Sequence, residues 1–112
     1  MSPEVRDLFE ALRPGILELG TDVVELFGER GVVYRVFDFF VEVIPRKRHL
    51  SLLLNLDFEA CAEPSEHLWD ATLNSFIPNA TEDGGVGFEL WVAEDIPEAL
   101  RYVRQAYEGI ND

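Results

Sequence analysis

The sequence predicts an α+β fold: a two-layer domain in the order α-β-β-β-α-β-α, with a mostly antiparallel sheet and the terminal helices packed on one of its faces. Three observations predict it. Val5, Leu8, Phe9, Leu12, Ile16 and Leu19 near the start, and Ile96, Leu100, Val103 and Tyr107 near the end, follow the three-to-four spacing of a helix with one buried stripe. Between them the period shifts to two, with Leu50, Leu52, Leu54 and Leu56 on one face of a strand. Pro45, Pro78 and the glycines before Val86 punctuate the middle into short pieces. At 112 residues, the chain (1–112) reads as a single domain able to bury one core without metal or disulfide staples.

Each element has its own local cause. Ser2 and Pro3 start the first helix, a hydroxyl cap followed by a proline where its missing N–H costs nothing. Pro14 and Gly15 fall inside the stripe without breaking its phase, which predicts a kinked helix ending near Gly20. Thr21 then caps a short helical turn to Phe27, and 28–31 form a loop. VVYRV (32–36), FFVEVI (39–44) and HLSLLLNL (49–56) are three strands, β-branched and aromatic, joined by turns at Phe37 and Asp38 and at Arg46 to Arg48. Phe39, Val41 and Val43 share the inner face with the leucines, which leaves Phe40 and Leu53 outside with Glu42, Ser51 and Asn55. Pro64 and Ser65 precede a helix carrying Leu68, Trp69, Thr72, Leu73 and Phe76, and NATEDGG is a loop. VGFELWV (86–92) is the fourth strand, with Glu89 and Trp91 outward. Asp95 and Glu98 form a capping box for the last helix.

Composition narrows the functional classes. The formal net charge is −13, and between His49 and Leu100 there are eleven Asp and Glu but no Lys or Arg. Such a surface repels phosphate backbones, so no direct nucleic-acid binding is expected. No apolar run reaches 18 residues, so no membrane partner is expected either. The charged N-terminus lacks the apolar centre of a signal peptide, and the single cysteine, Cys61, fits a reducing compartment; both point to a cytoplasmic protein.

Four stretches carry a resemblance: LFEALRPGILELG, FVEVIPRKRHLSLLLNLDF, EPSEHLWDATLN and DIPEALRYVRQAYE. In that order they resemble a small bacterial and archaeal domain of unknown function that goes by the name "predicted transport protein". The similarity runs from Leu8 to Glu108, and the central hairpin is its most specific part. That domain also occurs at the C-terminus of larger proteins with nuclease-like or restriction-associated regions, which implies an accessory role in defence-type systems. Members carry a histidine and a tryptophan in a glycine-rich stretch before the last strand. Here SFIPNATEDGGVG (75–87) has neither ring. More distantly, the first helix followed by VVYRV and RKRHLSLLL is similar to small frataxin-like iron-handling proteins.

The residues point to no catalytic set. Cys61 and His67 lack an orienting third group, and Cys61, Glu63, Glu66 and His67 match no tight metal motif. The glycines at 84, 85 and 87 form no phosphate loop, since no GxxxxGK[ST] pattern is present. No cofactor is expected. The expected function is a non-catalytic protein-interaction or accessory domain that binds a protein partner or forms a homodimer. Its candidate contacts are the basic hairpin tip Arg46, Lys47 and Arg48, and the outer-face residues Phe40, Leu53 and Trp91. The alternatives are an acidic cation-binding protein that holds iron on carboxylates such as Glu4, Asp7 and Glu10, or an acidic nucleic-acid mimic that binds a basic defence protein.

Overall fold

Helix α1 (Pro3–Leu17) starts where the Ser2 hydroxyl accepts the Val5 N–H at 3.2 Å, and it runs unbroken through Pro14. In the computed structural model, which describes residues 1–57, 61, 65–70 and 85–111, α1 is followed by six strands, a 3₁₀ turn (Ala93–Asp95) and helix α2 (Ile96–Asn111). The strands are β1 (Val24–Phe27), β2 (Val32–Arg35), β3 (Phe39–Pro45), β4 (Leu50–Leu54), β5 (Leu68–Asp70) and β6 (Val86–Leu90). They form one antiparallel sheet in the order β1-β2-β3-β4-β6-β5. The predicted α+β two-layer architecture holds, with six strands among the described residues in place of four.

Two elements correct the sequence reading. The segment expected to turn helically up to Phe27 is extended from Val24, because Gly28 N–H bonds Gly31 O at 2.8 Å and closes a hairpin onto β2. The segment expected as a helix after Ser65 makes a turn and then strand β5, whose Leu68, Trp69 and Asp70 pair with Phe88, Gly87 and Val86. A three-residue strand has almost no period of its own, so pairing with β6 decides its conformation. Thr72, Leu73 and Phe76 of that expected helix lie outside the described residues.

Alternation then sorts the sheet into two faces. One row of inner residues, Val32, Val43, Leu52, Phe88 and Leu68, crosses five strands in register beneath the helices. Val5, Leu8, Phe9, Leu12 and Ile16 of α1, and Ala99, Tyr102, Val103 and Ala106 of α2, close over it. The helices touch at Gly15, where a Cβ would come within 2.5 Å of Leu100 Cδ1, so only glycine allows this approach without displacing Leu100. Phe40 departs from strict alternation. Tyr34 pairs with Val41 and Arg35 with Phe39, so Phe40 is the extra residue of a β-bulge. It turns into the core, fully buried, with its ring edge-on to Tyr107 at 5.4 Å.

A polar clamp joins α1 to the sheet edge. Arg13 donates through Nε and Nη2 to both Glu25 oxygens at 2.7 Å, and the Tyr34 hydroxyl donates to Glu25 Oε2 at 2.7 Å. The hydrogen bonds from Arg13 hold the Glu25 carboxyl below its ordinary range against the opposing effect of burial. Burial, reinforced by Glu25, pushes the Tyr34 phenol up.

Two expected outcomes follow from α1 and its clamp. Pro14 is exposed inside a continuous helix, so Pro14→Ala restores an intrahelical bond without losing a packed side chain. It should stabilise the domain by about 1–3 kcal/mol, read as a raised Tm by circular dichroism; an unchanged or lower Tm would show that the ring itself is needed. Because the Glu25 pKa is lowered on folding, its contribution is present above the ordinary carboxylate value of about 4.3 and is lost as pH falls through the folded value. Urea titrations from neutral to acid pH should therefore show a shallower acid loss in Glu25→Gln than in the parent chain.

Candidate protein-interaction site

Every residue of β4 is buried, although the helices cover only its Leu50, Leu52 and Leu54 side. On the outer face Leu53, 1% exposed, packs with Ile44 beneath Trp69. The indole of Trp69 lies flat across the neighbouring strand because residue 87 is glycine; a Cβ there would fall 2.1 Å from Trp69 Cε2. Leu53 is therefore a packing residue and not a contact surface, and Phe40 is excluded by its bulge. Phe40 thus corrects the outward position expected from alternation, while Leu53 keeps its outward position and corrects only the expected exposure.

The polar residues of this face meet at Glu89. Its Oε2 accepts the Trp69 indole N–H at 2.9 Å. Its Oε1 accepts the buried Ser51 hydroxyl at 2.8 Å and lies 2.8 Å from His49 Nε2. An ionised carboxylate only accepts, so the ring presents its proton at Nε2. Arg46 Nε donates to Ser51 Oγ at 3.1 Å and brings the hairpin tip into the same network. Farther along the face, Arg30 clamps the buried Glu42 through two bonds of 3.0 and 2.6 Å.

His49 carries the network to Trp91. The two rings stack with centroids 3.9 Å apart and planes 12° apart, and Trp91 nevertheless stays 50% exposed. Val92 beside it is 47% exposed. The tip is a tight turn in which Arg46 N–H bonds His49 O at 2.8 Å; Arg46, Lys47 and Arg48 are all exposed, and Lys47 O receives the Ser2 hydroxyl at 3.4 Å. The start of α1, the basic tip and the Trp91 corner therefore converge. Between them lies a groove of about 350 Å³ lined by Leu8, Arg48, Trp91, Val92, Ala93 and the carboxylates of Glu4, Asp7 and Glu94. A larger groove of about 530 Å³ follows the seam of the helices past Leu19, Leu100, Arg101 and Arg104, with Glu18 opposing its arginines and no aromatic ring in its wall.

Of the candidate contacts, then, the structure brings Arg48 and Trp91 together, sets Arg46 and Lys47 on the same tip, and removes Phe40 and Leu53. Sequence reasoning missed His49 and Glu89 as the supports of Trp91, and Val92 as its exposed neighbour. The signal was present: Ser51 and Glu89 are polar residues on otherwise apolar strands, and buried polar groups need partners.

The chemical candidates sit elsewhere. Burial, with the nearby charge of Asp57, pushes the Cys61 thiol up, which disfavours the thiolate. His67 Nε2 lies 3.5 Å from Asp95 Oδ2, its ring leans on Phe88, and Ser65 bonds Glu98, so these two acids tie the β5 turn to the start of α2. They do so in place of the expected capping box, since the Asp95 N–H bonds Val92 O and the Glu98 carboxylate faces Ser65. Glu63 lies outside the described residues. Among the described residues no three His, Cys, Asp or Glu side chains are arranged to hold a metal ion, and no helix is long and apolar enough to cross a membrane. No family model, curated protein or solved structure matches the chain.

Glu89→Gln tests the hub. An amide offers one acceptor, so either Trp69 N–H or the Ser51 and His49 donors must face an NH₂ group. The expected cost is about 1–3 kcal/mol in urea denaturation. A neutral result would mean that water satisfies these donors.

Proposed function

We propose that the protein is a non-catalytic protein-interaction domain that docks through the corner formed by Trp91, Val92 and the Arg46–Arg48 tip. The observation that supports this is the state of Trp91: a large aromatic side chain, half exposed, yet stacked on His49. Binding energy at interfaces concentrates on such anchors. A ring already held in a stack also loses less side-chain entropy on association. Exposed Val92 enlarges the apolar patch, and the basic tip supplies a polar rim.

The resemblance to a domain found beside nuclease-like and restriction-associated regions suggests an accessory role in defence-type systems, with a second copy or another protein as partner. The nucleic-acid-mimic reading draws on the net charge of −13, and the cation-binding reading adds to it only the spacing of Glu4, Asp7 and Glu10 and a distant resemblance.

Site-specific photocrosslinking in cells tests the docking corner. A benzophenone amino acid in place of Val92 should give a discrete adduct, at twice the chain mass for a homodimer or at another mass for a different partner. Adding Trp91→Ala should remove that adduct while the domain stays folded. An adduct indifferent to Trp91, or equally strong from a probe at exposed Glu108, would refute the assignment.

A further inference from the structure

We propose that the partner inserts a cationic side chain, arginine in preference to lysine, into the groove beside Trp91; this inference rests on the reading of that corner as a docking site. Three acidic residues, Glu4, Asp7 and Glu94, line the groove against one basic residue, Arg48. None of these four groups takes part in an ion pair among the described residues. Any protein that covers the groove must strip water from these carboxylates. An apolar cover would leave them buried and unpaired, at a cost no apolar contact of this size recovers. An acidic cover would add repulsion. A cation removes the problem and meets a groove that carries two net negative charges.

The ring chemistry points the same way. Trp91 lines the groove, and the electron-rich face of an indole attracts a cation more strongly than any other side-chain ring. A guanidinium stacks flat on such a ring while its N–H groups reach carboxylates at the side, which an ammonium cannot do. Leu8 and Val92 supply apolar wall for the aliphatic stem of the guest. At long range the chain's charge of −13 steers a basic segment towards the protein and an acidic one away. Arg48 is the one opposing charge, and it provides a test of sign: its removal should help a cationic guest and harm an anionic one.

The probes are the peptides (Gly-Arg)₄, (Gly-Lys)₄ and (Gly-Glu)₄, titrated into ¹⁵N-labelled protein at 0.1 M salt while both indole N–H resonances are followed. With (Gly-Arg)₄ the Trp91 signal should move and that of Trp69, bonded to Glu89, should not. Trp91→Ala, followed through neighbouring amides, should weaken binding about fivefold. The triple variant Glu4→Gln, Asp7→Asn, Glu94→Gln should weaken it about tenfold, and Glu29→Gln, Glu66→Gln, Glu108→Gln less than about twofold. Arg48→Ala should strengthen it about twofold, and (Gly-Lys)₄ should bind more weakly throughout. Equal losses from the two carboxylate triples would overturn the proposal in favour of the chain's overall charge. Binding of (Gly-Glu)₄ that Arg48→Ala abolishes would overturn it in favour of an acidic partner. If no peptide moves Trp91 but the crosslinked complex still needs that residue, the cationic guest is refuted and the docking corner stands. If neither result is seen, both are refuted.

Discussion

Strand β4 has no exposed side. Leu50, Leu52 and Leu54 lie under the two helices, while Ser51 and Leu53 are buried on the face that no described helix covers. A sheet with helices on one face normally leaves the other to water. Here the outer side of the central strand must be closed from within the sheet, and much of the molecule follows from that constraint. Trp69 reaches across Gly87 to cover Leu53, so β5 must pair at the edge next to β6. The buried Ser51 hydroxyl requires an acceptor, which Glu89 supplies from the adjoining strand. The same carboxylate takes the Trp69 N–H and holds His49, and His49 stacks on Trp91. The candidate interaction corner is thus the outer end of a chain of contacts that begins with the closure of β4.

The chain carries 22 carboxylates, and those of Glu25, Glu42 and Glu89 tie separate elements together by accepting two or more side-chain bonds each. Glu25 takes Arg13 and Tyr34 and ties α1 to the sheet edge; Glu42 takes Nε and Nη2 of Arg30; Glu89 gathers Trp69, Ser51 and His49. Each is partly or wholly removed from water, where an accepted N–H or O–H is worth more than at the surface. The carboxylates at the Trp91 groove differ in that no ion pair within the described residues neutralises them. This contrast, between acids satisfied inside the fold and acids left to solvent around a stacked ring, distinguishes the corner from the rest of an acidic surface.

Much of this was legible in the residues themselves. The capped first helix, the hairpin with a basic tip, the strand from Val86 and the last helix all follow from periods long enough to measure and from proline and serine at positions where backbone chemistry leaves few choices. The exposure of the tip and of Trp91 was legible too, since turns lie at the surface and alternation from Val86 sets Trp91 on the outer face. What chain order alone could not decide was every feature that depends on a residue from another strand. Val24–Phe27 and Leu68–Asp70 are too short to show a period, and they are strands because β2 and β6 offer them paired backbone groups. Phe40 points inward because one extra residue enters β3 opposite Tyr34 and Arg35, and alternation cannot anticipate an insertion in register. Leu53 is buried because Trp69, sixteen positions later, folds over it. Local periodicity determined the class of the fold and its exposed landmarks; tertiary structure decided register, closure of the outer face and the company of Trp91, because these arise from pairings across the sheet that no single stretch of chain contains.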